Sequence, residues 1–218
     1  MSPKGRRSAL FIGEGTSDES VVPHIKGLCR LCGAEDPTEI IPDTRRFSKK
    51  VGHSVLEKVK AALELAPKAN LLFIHRDADG RDPTPRYEEI AEAIESLGVS
   101  IPYVAVVPIQ ETEAWLLVDE EAIREVAGKP KGRMALNLPT PKQVENIANP
   151  KERLKDVLAI ACGLKGRKLR KFKKDFPKHR RELLEQLDHE GPLSEVPAFK
   201  RLLNDISDAI EKLKKAHN

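Results

Sequence analysis

The apolar positions of this chain fall into short runs that alternate with longer segments of helical spacing. Four short runs predict strands at residues 8–12, 39–41, 71–74 and 103–109. Between them, apolar residues recur at helical spacing after Thr16, Val55 and Thr84. Strands that alternate with helices of this length are typical of βαβ units. We therefore expect an α/β fold with a mostly parallel four-stranded sheet flanked by helices.

The alternation of predicted strands and helices ends near Gly128. Residues 128–150 are rich in Pro, Gly, Lys and Asn, and the later segments have helical spacing. Helices are predicted at residues 150–162, around Leu183, and from Phe199 to Leu213. We therefore predict two regions, an α/β domain over residues 1–127 and a helical, basic C-terminal region over residues 128–218.

Composition narrows the class of protein. A third of the 218 residues are charged, and no apolar run is long enough to span a bilayer. The basic residues at the start lead directly into a strand-like run, which does not fit a signal peptide. Three cysteines do not make a disulfide framework, and Cys29 and Cys32 have metal-ligand spacing without a second pair, so we interpret them as core residues. We expect a cytoplasmic protein without a membrane partner.

A basic segment at residues 165–181 stands out, because it has ten Lys or Arg and one acidic residue, Asp175. It favours a polyanionic partner, nucleic acid first, over the alternative of a solvated helix. Phe172 and Phe176 interleave with the cations and either stack on unpaired bases or pack on the core, and we favour the core. The predicted nucleic-acid-binding residues here are Lys165, Arg167, Lys168, Arg170, Lys171, Lys173 and Lys174.

Acidic residues follow three of the predicted strands. They are Glu14 after the first strand, Asp77 and Asp79 after the third, and Glu111 and Glu113 after the fourth. Each has an ordinary explanation, because Asp-x-Asp-Gly suits a turn and acids favour helix N-termini. Parallel strands end at the same edge of a sheet, so the acids would meet there and repel one another without a cation. Carboxylates are ligands that Mg²⁺ prefers, so the sequence predicts a divalent-metal site.

With these acids in this order, the chain resembles the TOPRIM domain, the metal-binding domain of topoisomerases, bacterial primases, recombination proteins and the overcoming-lysogenisation-defect (OLD) nucleases. The likeness covers roughly residues 8–120. Small bacterial TOPRIM proteins of a domain-of-unknown-function family linked to phage defence are similar in two segments, Phe11-Ile12-Gly13-Glu14-Gly15-Thr16 and Pro108-Ile109-Gln110-Glu111-Thr112-Glu113-Ala114-Trp115-Leu116. The resemblance implies a Rossmann-like, metal-binding catalytic domain over residues 1–127.

The resemblance also implies roles for single residues. The implied catalytic residues are Glu14, Asp77, Asp79 and Glu111. Glu14 would be the general acid or base and also hold a metal, and the two aspartates would be ligands of Mg²⁺ or Mn²⁺. Glu113 would help Glu111 complete a second metal position, and Lys151 would contact a phosphate. Two divalent ions about 4 Å apart can stabilise the attacking and leaving oxygens of a phosphodiester displacement.

Three functional interpretations remain open. The first is a divalent-metal-dependent nuclease, with a setting in phage defence that the resemblance implies. The second is a non-catalytic nucleic-acid-binding or regulatory subunit of a larger complex. The third, phosphatase or nucleotidyl transfer on small substrates, leaves the basic segment unexplained. The larger OLD nucleases carry an ATPase domain that this chain does not, so a separate ATPase or other defence partner is a further expectation. The sequence does not decide between DNA and RNA as the nucleic acid, and a homodimer is one possible oligomeric state.

Overall fold

A computed structural model describes residues 8–34, 39–42, 51–78, 82–109 and 112–215. It divides the chain into two compact units. The sheet unit comprises residues 1–76, 83–107 and 201–218, and the helical unit comprises residues 77–82 and 108–200. This division differs from the predicted boundary at residue 127. The change of composition marks where strands stop alternating with helices, whereas the units are set by which segments pack together.

The sheet unit is built on strands β1 (Ser8–Ile12), β2 (Glu39–Pro42), β3 (Leu71–His75) and β4 (Tyr103–Val106). Their order is β2-β1-β3-β4, and neighbouring strands run parallel. Leu10 lies opposite Leu72, and Ile74 lies opposite Ala105. For β2, the structure describes the backbone pairing with β1 and not the side chains. The predicted α/β class with an open parallel sheet is confirmed.

The central strands are buried on both faces. Successive side chains of a strand point to opposite faces, and Leu10, Phe11, Leu72 and Phe73 are all at most 2% exposed. A strand that is apolar on both faces needs a layer of packing on each side. This explains why residues 9–12 of β1 and 71–74 of β3 are unbroken apolar runs without alternating polar residues.

The sheet unit has three helices that connect its strands. A 3₁₀ helix (Thr16–Val21) leads into α1 (Val22–Leu31), and α2 (Val55–Leu65) and α3 (Thr84–Ser96) follow. Ser54 caps α2 by accepting a hydrogen bond from the Glu57 N–H. Each of these helices was predicted. The buried face of α2 comprises Val55, Val59 and Ala62, whereas Leu56 is 36% exposed.

The helical unit begins with a 3₁₀ helix (Thr112–Leu117) and contains α4 (Glu120–Val126), α5 (Pro150–Cys162), α6 (Gly166–Lys174) and α7 (Phe176–Glu185). Its core includes Trp115, whose ring meets that of Phe199 edge-on at 5.5 Å. Trp115 is 3% exposed and is therefore a core residue of this unit.

The last helix, α8 (Pro197–Lys215), begins in the helical unit and continues in the sheet unit from Arg201. There its Arg201 guanidinium lies 3.6 Å from the centre of the Tyr87 ring, and its Leu203 carbonyl accepts a hydrogen bond from Cys32. These contacts tie the end of the chain to α3 and to the residue that follows α1. Among the described residues, no helix is long and apolar enough to cross a membrane.

Candidate functional site

The loop after β1 is held in place through its backbone. The Glu14 and Gly15 N–H groups donate hydrogen bonds of 2.8 and 3.0 Å to Oδ2 of Asp18. From α2, the Lys58 ammonium donates to the carbonyls of Gly13 and Glu14, both at 3.0 Å. Hydrogen bonds therefore hold both the backbone N–H groups and the backbone carbonyl groups of the loop. Sequence reasoning missed Asp18 and Lys58, because neither stands in a motif.

Gly13 allows the loop to pass close to its neighbours. A Cβ at this position would lie 3.2 Å from Oδ2 of Asp18 and 3.3 Å from the Phe11 ring. Such spacing is tighter than most real Cβ contacts, so a larger residue would push the Asp18 carboxylate away from the loop. Position 13 thus has a steric reason to be a glycine.

The carboxylate of Glu14 is paired with Arg76, the residue that follows β3. The same guanidinium lies 3.3 Å from Oε2 of Glu89, and Arg86 lies 3.0 Å from that oxygen. Two acids and two arginines therefore compensate one another, and we call them the Glu14 charge cluster. The pairing register of β1 and β3 could have predicted Arg76 as the partner of Glu14. Ile12 lies opposite Ile74 in this register, so Glu14 is level with Arg76.

A buried histidine lies behind this loop. His75 is 2% exposed, and its Nδ1 is 3.4 Å from Oδ2 of Asp18, the oxygen that holds the Glu14 and Gly15 N–H groups. Its ring centre lies 6.2 Å from that of Phe11. His75 therefore supports the residue that fixes the loop.

Two of the other four predicted metal ligands, Asp77 and Glu113, are among the described residues, and both belong to the helical unit. Asp77 is half-buried and opens the helical unit, and the next residue, Ala78, donates a 3.1 Å hydrogen bond to the Pro108 carbonyl. Asp79 and Glu111 lie outside the described residues. Glu113 has an 8% exposed side chain and accepts a 2.9 Å hydrogen bond from Nε of Arg180.

Among the described residues, no group of three or more His, Cys, Asp or Glu side chains is placed to hold a metal ion. In the part of the chain that the structure describes, Mg²⁺ therefore has no ready cage of ligands. Two of the predicted ligands, Asp79 and Glu111, lie outside that part.

The basic helix α6 presents its charges to solvent. None of its side chains is buried, and its cations are Arg167, Lys168, Arg170, Lys171, Lys173 and Lys174, with Lys165 at the N-cap. Within the described chain, one ion pair is recorded for them, between Lys173 and Asp156 at 3.9 Å. Lys151, the other predicted phosphate contact, is exposed in the first turn of α5.

The two phenylalanines of the basic segment pack on protein. The Phe172 ring stacks on His179 with centres 4.1 Å apart. Phe176 is 7% exposed, and the Lys155 ammonium lies 5.2 Å from its ring centre. The preference for a core role over base stacking is thus supported for both rings.

The family comparison covers both units. A family model for a domain of unknown function, DUF4276, matches residues 14–207. The chain belongs to the DUF4276 family. The matched part of this DUF4276 domain starts at Glu14 and includes α6. No curated protein and no solved structure matched the chain.

The three cysteines of this DUF4276 protein, Cys29, Cys32 and Cys162, are free thiols. Burial, followed by the nearby Cys32, raises the pKa of Cys29 to about 12, and burial also raises the pKa of Cys32. A thiol with a raised pKa is a poor nucleophile and a poor metal ligand at neutral pH. This agrees with the interpretation of both residues as packing residues.

Proposed function

We propose that the protein binds nucleic acid and cleaves its phosphodiester bonds in a reaction that requires Mg²⁺ or Mn²⁺. The observation that carries the proposal is the pairing of β1 with β3 as parallel neighbours, because the chain then leaves both strands at one edge of the sheet. Glu14 follows the first of these strands and Asp77 follows the second. The resemblance to TOPRIM proteins supports this activity and its setting in phage defence.

The fixed backbone of the Glu14 loop supports a chemical role for this residue. A group that donates or accepts a proton must be held within hydrogen-bond reach of the reacting atom. Asp18 and Lys58 hold the loop from opposite sides, so the carboxylate does not depend on a mobile backbone. The proposed metal ligands are Glu14, Asp77, Asp79 and Glu111.

Arg76 gives the proposal a second feature. Its guanidinium is 16% exposed and forms an ion pair with Glu14, which orients the carboxylate. A guanidinium binds phosphate as well as carboxylate through its planar fork of donors. We therefore assign Arg76 a role in holding a phosphate group of the substrate.

The test is cleavage of supercoiled plasmid, linear duplex DNA, single-stranded DNA and structured RNA with Mg²⁺ or Mn²⁺. Wild type should cut at least one substrate, and Glu14→Gln and Asp77→Asn should each lower the rate by about 100-fold or more. The matched control is Glu64→Gln, at an exposed position of α2, which should cut at the wild-type rate. Thermal melting of each variant shows whether a lost activity reflects a lost fold.

Two outcomes would overturn the cleavage proposal. The first is a wild-type protein that cuts none of the four substrates with either metal. The second is a pair of folded variants that cut as fast as wild type, which would identify the activity as a contaminant.

The exposed charges of α6 favour a second candidate function, a nucleic-acid-binding or regulatory subunit that cuts nothing by itself. Seven exposed cations from Lys165 to Lys174, without an acid among them, suit a polyanion whether or not a metal site is present. This candidate requires salt-dependent binding by a protein that fails the cleavage assay. A separate ATPase would then be the partner to search for.

A further inference from the structure

The segment between α4 and the 3₁₀ helix at Val144–Asn146 contains a second group of exposed cations. Residues 128–134 read Gly-Lys-Pro-Lys-Gly-Arg-Met, with three cations and no acid. Lys129, Lys131 and Arg133 are all exposed. We call residues 128–134 the basic loop. It lies in the helical unit, as α6 does.

This loop has no helix or strand of its own, yet the protein holds it firmly. Arg124 of α4 is 8% exposed and donates a 2.7 Å hydrogen bond from Nη2 to the Met134 carbonyl. Just beyond the loop, Arg153 of α5 donates a 2.6 Å hydrogen bond to the Asn137 carbonyl, and the Leu136 side chain is 2% exposed.

The start of the loop is folded around the same arginine. The Lys129 N–H donates to the Arg124 carbonyl at 2.8 Å, and the Gly132 N–H donates to the Lys129 carbonyl at 2.8 Å. A Cβ at Gly132 would lie 3.0 Å from Nη1 of Arg124 and 3.0 Å from the Lys129 carbonyl oxygen. The loop therefore wraps closely around the guanidinium, and a side chain at position 132 would require Arg124 or the Lys129 carbonyl to shift by a few tenths of an ångström.

A loop that is already ordered loses little conformational freedom when it binds. The three cations of the loop do not stabilise one another, because like charges on one short loop repel. Charges spread along a loop suit a ligand whose anionic groups repeat along a chain. We propose that the basic loop is a second phosphate-contacting element for nucleic acid, separate from α6. This inference rests on the proposed binding of nucleic acid, but not on cleavage.

The residues of the loop divide into two roles. Lys129, Lys131 and Arg133 contact phosphates, and each contact releases counterions when it forms. Arg124 and Gly132 are positioning residues, because they shape the loop and do not reach the ligand. The two roles predict different salt dependences, which gives the inference a test that a merely structural loop would not pass.

The experiment measures binding of the full-length protein to a fluorescent 20-base-pair duplex DNA and a 20-nucleotide single strand over a range of salt concentrations. Divalent metals are chelated with EDTA, so that cleavage does not enter. The variant Lys129→Gln/Lys131→Gln/Arg133→Gln should lower the slope of log affinity against log salt by about 2 to 3, because each phosphate contact contributes about 0.7 to 0.9.

The positioning variant Gly132→Ala keeps every charge. It should weaken binding by about 3- to 10-fold through the lost order of the loop, while the salt slope stays at the wild-type value. The matched control, Arg30→Gln/Lys60→Gln/Lys68→Gln, removes the same charge from exposed positions of the sheet unit. It should leave the slope unchanged.

The reference variant Lys168→Gln/Lys171→Gln/Lys174→Gln on α6 separates the two proposals. If it lowers the slope and the loop variant matches the control, the inference about the loop is overturned while nucleic-acid binding stands. If wild type binds neither probe in a salt-dependent way, the proposed binding fails and the inference fails with it. Melting curves confirm that each variant is folded.

Discussion

The two units use charge in opposite ways. In the sheet unit, the Glu14 charge cluster pairs each acid with an arginine, and its side chains are between 16% and 32% exposed. In the helical unit, the cations of α6 and of the basic loop are exposed to solvent, and among the described residues the one ion pair found for α6 is between Lys173 and Asp156. Paired charges hold one another in place, and the phosphate contact proposed for Arg76 would come from a guanidinium that also orients Glu14. Apart from Lys173, the exposed like charges have no such partners to orient in the described chain, so they are available to a ligand.

The comparison separates stability from binding. Removing one partner of a part-buried pair leaves the other partner desolvated and uncompensated, which costs stability. Exposed cations repel one another and contribute little to the fold. We therefore expect changes in the paired groups to alter stability and changes in the exposed cations to alter nucleic-acid affinity.

The largest effect is expected in the apolar core of the sheet unit, which carries the Glu14 loop. Phe73 of β3 is 0% exposed, so Phe73→Ala should lower the free energy of unfolding by about 3–5 kcal/mol. Leu56→Ala, at a position 36% exposed, should cost far less. Urea unfolding measures both. Equal costs for the two variants would contradict the buried position of β3.

The next effect tests whether the helical unit also has a fixed pair. Glu113 and Arg180 have side chains 8% and 18% exposed, so Glu113→Gln should cost about 1–3 kcal/mol by leaving the guanidinium without its carboxylate. A double-mutant cycle with Arg180→Gln should give a coupling energy of about 0.5–3 kcal/mol. A folded Glu113→Gln with full stability and no nuclease activity would instead favour the predicted metal role of Glu113.

A smaller effect depends on pH. Glu145 is 8% exposed and accepts a hydrogen bond from the Ala198 N–H at 2.8 Å, and burial raises its pKa above the ordinary value of 4.5. Because the folded state then holds the proton more tightly than the unfolded state, this residue's contribution is complete below pH 4.5 and falls as the pH rises through the raised pKa.

The matching variant is Glu145→Gln, which keeps an oxygen acceptor and removes the titration. Melting temperatures measured from pH 4 to pH 8 should show the variant gaining stability relative to wild type as the pH rises. A difference that stays constant over this range would contradict the raised pKa.

The smallest effect on stability is expected at α6. Replacing Lys168, Lys171 and Lys174 with glutamine should change the free energy of unfolding by no more than about 0.5 kcal/mol, because the three side chains are exposed. Relief of repulsion should make any change favourable at low salt and absent at high salt. A loss above about 2 kcal/mol would show that these cations serve the fold and would weaken the comparison.

Local patterns were enough to locate most elements. The apolar runs predicted β1 at its observed bounds, and helical spacing predicted α2 and α5 at theirs. Both patterns report burial along a single segment, which the order of residues specifies directly. The predicted length of β4 was too great, since the strand ends at Val106 although apolar residues continue to Ile109. Apolar residues are buried in loops as well as in strands.

The sequence by itself determined the α/β class and the concentration of cations at residues 165–181. Each follows from residues close together in the chain. Only the tertiary structure decided that Arg76 pairs with Glu14, that Arg180 engages Glu113, and that the chain returns to the sheet unit from Arg201. These features depend on contacts between distant segments, and many partners satisfy the same local pattern. The physical reason is that burial selects a class of residue, whereas packing selects which particular residues meet.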